Sequence, residues 1–443
     1  MSTNSENKNN KTDNQVSRRS FLGTTGALGA AAFATSAVNW TAKSYAGIVG
    51  ANDRIHVGLI GAGVIGNAHM NVYNKLKEPN NLSVHAIVDC WKSRADAGRE
   101  LTDAKYSLTD YRELLDMKEV DYVTVAVPEH THAHMVIDAF DADKPVYCEK
   151  PMTHTIEQAQ AVWAKQKETG LPLQVGVQGM SDDSYISARK AIESGIIGDV
   201  VQAQIEYVRH YPDHAGPWRV PESVEKYPTK PADLNWDDWL GDAEKIDWNP
   251  HHYFEWRNYR RYSGGICTDL FIHRISRIMK ACNLLYPRRV VGMGGIWQWD
   301  DGRDLPDNFE MICEYPRGMT VYVLGTMSNR RAIDHIIRGT DGYIEFTREG
   351  WVAKDDKSND DKVIAEHKKS GAEDMHLHET NMHNHLRHGE ELNCPVELGM
   401  AGVVAVNMAN ESWRSGRMMA WDAENEKMVS ADSIELSHKP EKA

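Results

Sequence analysis

The stretch from Arg54 to Gly66 constrains the fold of this chain more than any other. Ile55, Val57, Leu59 and Ile60 make a short apolar strand, and Gly61, Gly63 and Gly66 follow it as G-x-G-x-x-G. The first glycine permits a tight turn, the second lets backbone approach a pyrophosphate, and the third lets the next helix pack close to its strand. The helix N-terminus then faces the phosphates with its free N–H groups. A helix is predicted over residues 67–76. The strand after it, 84–88, closes on Asp89, where a carboxylate can accept hydrogen bonds from a ribose diol. Strand, loop, helix and acid in this order predict a dinucleotide site built on Gly61, Gly63, Val64, Ile65, Gly66 and Asp89. A carboxylate repels a 2′-phosphate, so NAD is expected ahead of NADP, with Lys92 and Arg94 tempering that preference.

The alternation of strand and helix continues to about Gly179. Residues 122–127 are a near-continuous β-branched run, as in a strand buried on both faces of a parallel sheet. Pro128 ends it, and Thr131 is placed to cap a helix running to Phe140. A strand over 144–148 closes on Glu149-Lys150-Pro151, followed by a helix over 155–169 and a strand over 173–177. The fold class is therefore α/β, with a doubly wound parallel sheet over residues 47–178. The pattern then changes. A helix at 185–194 and a strand at 200–209 precede a segment, 210–262, rich in Trp, Pro, Asp and His. A loop of that length is more often functional than idle. Strands at 289–294, 309–315, 319–324 and 335–338, with turns at 316–318 and 341–342, imply a large, open, mostly antiparallel second sheet. That second α/β domain is expected over 179–425. Residues 350–373 read as a charged exposed loop, 382–388 and 402–414 as helices, and 426–443 as a tail.

Residues 1–46 read as a targeting segment. Ser17-Arg18-Arg19-Ser20-Phe21-Leu22 precedes a small-residue apolar stretch, 23–38, as in a twin-arginine export signal. With glycines at 23, 26 and 29 the stretch is short and weakly apolar for a spanning helix. Removal after Ala37 or after Ala46 is equally compatible. The expected location is the periplasm, with the export machinery as a partner. An enzyme that takes its cofactor in the cytoplasm gains by folding around it before transport.

The whole chain carries 50 Lys+Arg against 64 Asp+Glu, a net charge of −14. Residues 1–46 hold five basic and two acidic side chains, so the remainder stands at −17. Such acidity argues against nucleic acid and anionic membranes as partners. No later stretch is long and apolar enough to span a bilayer. The six cysteines show no C-x-x-C spacing and read as free and buried.

Three groups of residues suggest chemistry. Glu149-Lys150-Pro151 ends a sheet strand, where open parallel sheets bind ligands. A lysine there can hold the oxygen of a reacting carbinol, and Glu149 can bond a nicotinamide ribose. Asp269 and His273 are four apart, so on an α-helix they share a face, and a histidine beside a carboxylate is a plausible proton acceptor. His376, His378, His383, His385 and His388 crowd thirteen residues. No cysteine or carboxylate completes an evident ligand set, so a solvated helix face is expected and no metal. The aromatics of 210–262 pack a second domain or stack on sugar faces, with Trp256 and Arg257 the best candidates for substrate contact.

Taken together, these motifs resemble the glucose–fructose oxidoreductase, inositol dehydrogenase and rhizopine-catabolism (Gfo/Idh/MocA) family. The resemblance runs over about residues 50–425. It rests on the glycine loop with His69, Val127-Pro-Glu-His-Thr-His132, Glu149-Lys-Pro151, Gly264-Gly-Ile-Cys-Thr-Asp269 with His273, Trp236-x-x-Trp239-Leu-Gly241, and Trp413-Arg-Ser-Gly-Arg417. It implies hydride transfer between NAD or NADP and a secondary alcohol of a sugar, polyol or glycoside. Lys150, Asp269 and His273 take the catalytic positions. His273 would accept the hydroxyl proton, Asp269 would fix its tautomer, and Lys150 would polarise the oxygen. Lys150, Trp256, Arg257, Asp269 and His273 would contact substrate, and Val127, Pro128, His132, Glu149 and Lys150 would add to the cofactor site. The family also implies a homo-oligomer, dimer or tetramer, through the open sheet's outer face. Two alternatives stand beside this reading: glycoside hydrolysis by transient oxidation, elimination and re-reduction, and non-catalytic sugar binding. Where many members carry an arginine after the sixth strand, this chain has Gln178-Gly179-Met180.

Overall fold

Continuous apolar runs require a sheet covered on both faces, and six strands build one here, with the short half-buried Tyr106–Leu108 at its edge. In the computed structural model, which describes residues 53–211, 216–357, 362–371 and 373–435, they are β1 (Ile55–Ile60), β2 (Leu82–Val88), β3 (Tyr106–Leu108), β4 (Tyr122–Val125), β5 (Val146–Glu149) and β6 (Leu173–Gly176). All pair in parallel, in the order β3-β2-β1-β4-β5-β6. β4, β5 and β6 are buried along their whole length. The helix Ile156–Thr169 shows the local logic. Thr155 and Gln158 form a reciprocal capping box at its start, and left-handed Gly170 ends it. Thr131 does not cap as expected. A 3-10 turn, Glu129–Thr131, precedes the helix His132–Asp141, and the Thr131 hydroxyl donates back to Pro128 O at 2.9 Å. The strand order reverses between β1 and β4, which opens a crevice at their carboxyl ends.

The second sheet has ten strands: β7 (Val200–Val208), β8 (Arg289–Gly295), β9 (Asn308–Tyr315), β10 (Met319–Thr326), β11 (His335–Gly339), β12 (Gly342–Thr347), β13 (Gly350–Asp355), β14 (Val363–Lys368), β15 (Met419–Asp422) and β16 (Lys427–Ser430). Their order is β14-β13-β12-β11-β7-β10-β9-β8-β15-β16, and only β7 and β10 run parallel. β9 and β10 alternate buried residues with half-buried or exposed ones, so one face packs and the other is open. The packed face lies on the helices Ile272–Cys282 and Val396–Ser415. A Cβ on Gly292 would stand 2.1 Å from Ala409 O, which is why that helix reaches β8 so closely. Two expectations fail here. Within the expected loop 350–373, residues 350–355 and 363–368 are strands: β13 and β14 extend the sheet to its edge. The boundary drawn at 425 falls inside a hairpin, because β16 pairs with β15.

The segment 216–262 is likewise not structureless. Short helices Pro221–Lys226, Trp236–Leu240 and Pro250–Phe254 gather on an apolar cluster of Trp91, Leu234, Trp236, Trp239, Leu240, Tyr253 and Tyr262. The segment is fixed to the loop after β2, where Asn235 N–H donates to Cys90 O at 2.8 Å and Lys92 N–H to Asp233 O at 3.0 Å. It is also fixed near the loop after β4, where the His130 ring donates to Trp239 O at 3.0 Å. It thus crosses the crevice as a strap. All six cysteines are free, and Cys90 is partly exposed where burial was expected. Among the described residues no helix is long and apolar enough to cross a membrane. Residues 1–46, read from the sequence as an export signal, lie outside the described residues.

Candidate active site

The crevice between β1 and β4 is a cleft of about 640 Å³, walled by the parallel sheet's loops and by the strap. Its floor is the glycine turn. Gly61 has φ +100°, and a Cβ there would meet Ala126 O at 2.4 Å. A Cβ on Gly66 would sit 2.0 Å from Gly61 O, so this glycine is required for the helix Val64–Leu76 to close on the turn. Gly63 is the N-cap and supplies no side chain, which leaves the first N–H groups of that helix open to the cleft. Among the described residues beyond its chain neighbours, Arg94 alone comes within 4 Å of a notional Cβ on Gly63, at 3.9 Å. A bare helix N-terminus over an open cradle fits a pyrophosphate. Asp89 lines the cleft and braces the turn, accepting from Ala62 N–H and Trp91 N–H, both at 2.8 Å. Of the two cations near it, Lys92 is drawn away by Asp96. Arg94 stays at the cleft, stacked over Trp91 at 4.7 Å and Tyr253 at 5.2 Å.

Val64, Ile65, Val127, Pro128, Glu149 and Lys150 all line the same cleft. His132 does not. Its ring nitrogens lie 2.8 Å from Pro151 O and from Val127 O, and the neutral ring, donating to one of them, braces the turn after β4 against the turn after β5. Lys150 reaches out of the parallel-sheet half to the segment before the helix Ile272–Cys282. Its ammonium donates to Asp269 Oδ1 at 2.8 Å and to Asp269 O at 3.0 Å. Arg257 Nε donates to the same Oδ1 at 2.9 Å, and its guanidinium lies over Trp256 at 4.1 Å. Trp256 and Arg257 both line the cleft. Burial alone would raise the Asp269 carboxyl. The charges of Arg257 and Lys150 outweigh it and hold the group well below the ordinary carboxylate range.

Asp269 and His273 are not neighbours on one α-helical face. Asp269 sits in a π-helical turn, Ile266–Phe271, and His273 in the α-helix that follows. The wider turn changes the angular offset between them. No hydrogen bond joins the two side chains. Asp269 serves Lys150 and Arg257, and the nearest carboxylate oxygen to His273 Nδ1 is Glu373 Oε1 at 3.9 Å. His273 Nδ1 is buried without a partner. Burial and the charges of Lys150 and Arg277 push this imidazole well below its usual range, so it is neutral at physiological pH. The tautomer-fixing role expected for Asp269 is therefore not what the geometry provides. Neither Asp269 nor His273 is part of the cleft wall itself.

Residues 55–177 match the family model of the Gfo/Idh/MocA oxidoreductases for the NAD-binding Rossmann fold. Residues 241–420 match the model for their C-terminal alpha/beta domain. The chain belongs to the Gfo/Idh/MocA family. It is 32% identical over 146 residues to the scyllo-inositol 2-dehydrogenase (NAD(+)) of Bacillus subtilis, covering 33% of this chain and 43% of that one. Against the inositol 2-dehydrogenase of Salmonella paratyphi B it is 28% identical over 193 residues, 42% and 54% of the two chains. The chain spans about half the length of the curated relatives it matches. A solved levoglucosan dehydrogenase in complex with NADH shares the fold, with a TM-score of 0.65 at 18% identity over 85% of this chain and 99% of that one.

Within this family frame, three features escaped sequence reasoning. Glu129, fully buried, accepts from Ser263 Oγ at 2.6 Å and Thr268 Oγ1 at 2.9 Å, and so ties β4's loop to the turn that carries Asp269. Burial, with the charge of Asp269, raises its carboxyl to about 7. Arg277 packs beside Gly179, where a Cβ would stand 2.5 Å from Arg277 Nε. A guanidinium thus comes to the glycine after β6 from a different element. Third, the histidine-rich helix is not a solvated face. His378 bonds Val175 O at 2.9 Å and Ser181 Oγ at 2.7 Å, and His383 bonds Tyr122 and Asn80. His376 bonds Asp374 and His385 bonds Glu390 O, each at 2.6 Å. Between the buried histidines stands Glu379, fully buried against His69. The helix's own apolar stripe marks that position: Met375, Met382 and Leu386 pack inward, and 379 falls on the same stripe. Among the described residues, no group of three or more His, Cys, Asp or Glu is arranged to hold a metal ion.

Proposed function

We propose that this protein is an NAD-dependent dehydrogenase acting on a secondary alcohol of a sugar, polyol or glycoside. One observation carries the reading. Lys150, locked to Asp269, lines the same cleft whose floor is the open glycine turn. A bound nicotinamide dinucleotide supplies the two-electron acceptor. The turn at Gly61–Gly66 and the uncapped helix hold its pyrophosphate, Asp89 its ribose diol, and Glu149 its nicotinamide end. Lys150 is oriented by Asp269 and donates a hydrogen bond to the substrate oxygen. His273, kept neutral by burial and by the charge of Lys150, stands behind that lysine and takes the hydroxyl proton of a substrate that reaches past the cleft wall. Trp256 with Arg257 forms the substrate-side wall. The test is to purify the protein, supply NAD with a panel of sugars, polyols and glycosides, and follow reduced nicotinamide. Turnover that survives both Lys150→Ala and His273→Ala would refute the assignment.

The strap supports a second reading. A cofactor under a strap anchored at Cys90 and Lys92 on one side and at His130 on the other suits a cycle that oxidises and re-reduces one glycoside without releasing the nucleotide. Aglycone release with no net change in reduced nicotinamide would distinguish it. Export by the twin-arginine route to the periplasm rests on Arg18-Arg19 and the apolar stretch after them, and cell fractionation of the wild type against an Arg18→Lys/Arg19→Lys variant tests it. A homo-oligomer is supported by the open face of the second sheet. There Val291, Ile312 and Tyr322 stand in register across β8, β9 and β10, and Met293 is exposed. Sedimentation of the purified chain decides this.

A further inference from the structure

Beyond the inner end of the cleft lies a chain of buried ionisable groups drawn from separate segments. His69, on the helix after the glycine turn, bonds Glu149 Oε1 through Nε2 at 2.9 Å and Glu379 Oε1 through Nδ1 at 2.8 Å. Glu379 also accepts from Tyr73 at 3.0 Å and from Tyr122 at 3.2 Å. Tyr122 continues to His383 Nε2 at 2.9 Å, and His383 Nδ1 to Asn80 at 2.8 Å. His69 and Glu379 have no solvent exposure, and Glu149 almost none. A carboxylate only accepts, so an imidazole with a carboxylate on each nitrogen must donate from both. His69 is therefore an imidazolium, and the three groups together carry one net negative charge. Charges this dry persist only when every one is paired and hydrogen-bonded, as here. Glu149 has no remaining freedom: His69 holds Oε1, and Lys150 N–H donates to Oε2 at 3.1 Å.

We infer that Glu379 is a positioning residue for the redox step: through His69 it keeps Glu149 ionised and fixed at the nicotinamide end of the cleft, where that carboxylate favours the positively charged oxidised ring over the neutral reduced one. The inference rests on the dehydrogenase reading of the cleft given above. Facing His69 are Glu149 and Tyr147 from β5, Tyr73 from its own helix and Glu379 from the helix Met375–His388. Facing Glu379 are Tyr73, Tyr122 from β4, and His378 and His383 from its own helix. Burial pushes both of these histidines down to about 4, so they add no charge. Lys150 and His132 face Glu149. Glu379→Gln keeps the size of the side chain but replaces one accepting oxygen with a donating amide and removes the charge that holds the second proton on His69. The imidazole then donates to Glu149 alone and accepts from the new amide. Glu149, left in a dry site beside a neutral ring, takes up a proton more readily.

The test compares the full-length wild type with Glu379→Gln, measuring NAD⁺ and NADH dissociation constants from about pH 5.5 to about pH 8.5. The wild type should keep a flat ratio of the two constants across that range. In the variant, NAD⁺ binding should weaken about tenfold at the acid end, while NADH binding changes by less than about threefold. Equal weakening of both forms at every pH, or no difference from the wild type, overturns the inference. Should the variant not fold, nitrogen NMR of His69 in the wild type decides the point. Two protonated ring nitrogens near neutral pH are expected, and a single neutral tautomer overturns it. A wild type that binds neither dinucleotide refutes the reading of the cleft instead, and the His69 spectrum still reports separately on the buried cluster.

Discussion

Glu129 offers a prediction whose size follows from where it sits. Its carboxylate is buried, receives two hydroxyls and the Gly264 N–H, and lies near the charge of Asp269. Burial, then Asp269, lifts it from an ordinary 4.5 to about 7. Between those two values the folded protein holds a proton that the unfolded chain has already lost. Stability from this group is therefore fully present below about 4.5 and is lost as pH rises through about 7. At about 1.4 kcal/mol per pH unit, the loss between about pH 5 and about pH 8 is roughly 2 to 3 kcal/mol. Glu129→Gln abolishes the titration and keeps the shape: the Ser263 hydroxyl can turn to accept from the new amide, while Thr268 and Gly264 N–H keep donating to the remaining oxygen. Urea unfolding of both proteins at the two pH values provides the assay. The variant should gain roughly 2 to 3 kcal/mol on the wild type between the acid and the alkaline measurement. Parallel pH dependence in the two proteins would show that Glu129 is not a shielded carboxyl and would refute the argument.

Lys150→Ala should reduce turnover by about 100-fold or more, while the dissociation constant for NAD stays within about threefold of the wild type. Steady-state kinetics beside a fluorescence titration separates the two effects. Asp89→Ala removes the negative charge from the ribose site while Arg94 remains stacked beside it. The ratio of kcat/KM for NADP over NAD should rise about tenfold or more. Gly66→Ala drives a methyl group into Gly61 O. It should cost about 2 kcal/mol or more in thermal unfolding and weaken dinucleotide binding as well.

The parallel-sheet half was largely readable because strands buried on both faces leave runs such as 122–125, and because the turn that binds a pyrophosphate needs glycines at fixed offsets. The placement of Glu149 and Lys150 at a strand end followed from the same logic, and so did Asp89. The edge of the second sheet was not readable. β14 is half-exposed or exposed along its whole length, and Glu366 and Lys368, with Lys362 just before the strand, carry the charge that protects an edge from pairing. The alternation that betrays a strand is then missing. The strap was unreadable for a different reason. Its helices are only five or six residues long, too short for a periodic signal, and they are held by aromatic packing against Trp91, more than a hundred residues away in sequence.

The error over Asp269 and His273 is the most instructive, because it came from a correct rule applied to the wrong helix. A spacing of four puts two residues on one face only if the backbone keeps its α-helical period. Gly265, at φ +65°, starts a turn that is π-helical from Ile266 to Phe271, and that turn aims Asp269 at Lys150 instead of at His273. Glu379 was missed by the converse route, since a charge among five histidines was counted as part of a wet surface. Its place on the stripe of Met375, Met382 and Leu386 argued otherwise. An ionisable residue that keeps the period of the apolar face must be buried, and once buried it must have charged or hydrogen-bonding partners elsewhere in the chain. His69 meets that requirement and passes it on to Glu149. The same test applied to the helix after the glycine turn selects His69 itself, which shares its buried face with Met70 and Tyr73. Two polar residues, each on an apolar stripe and each needing a partner, are therefore evidence for contact between elements some three hundred residues apart, available before any coordinate is known.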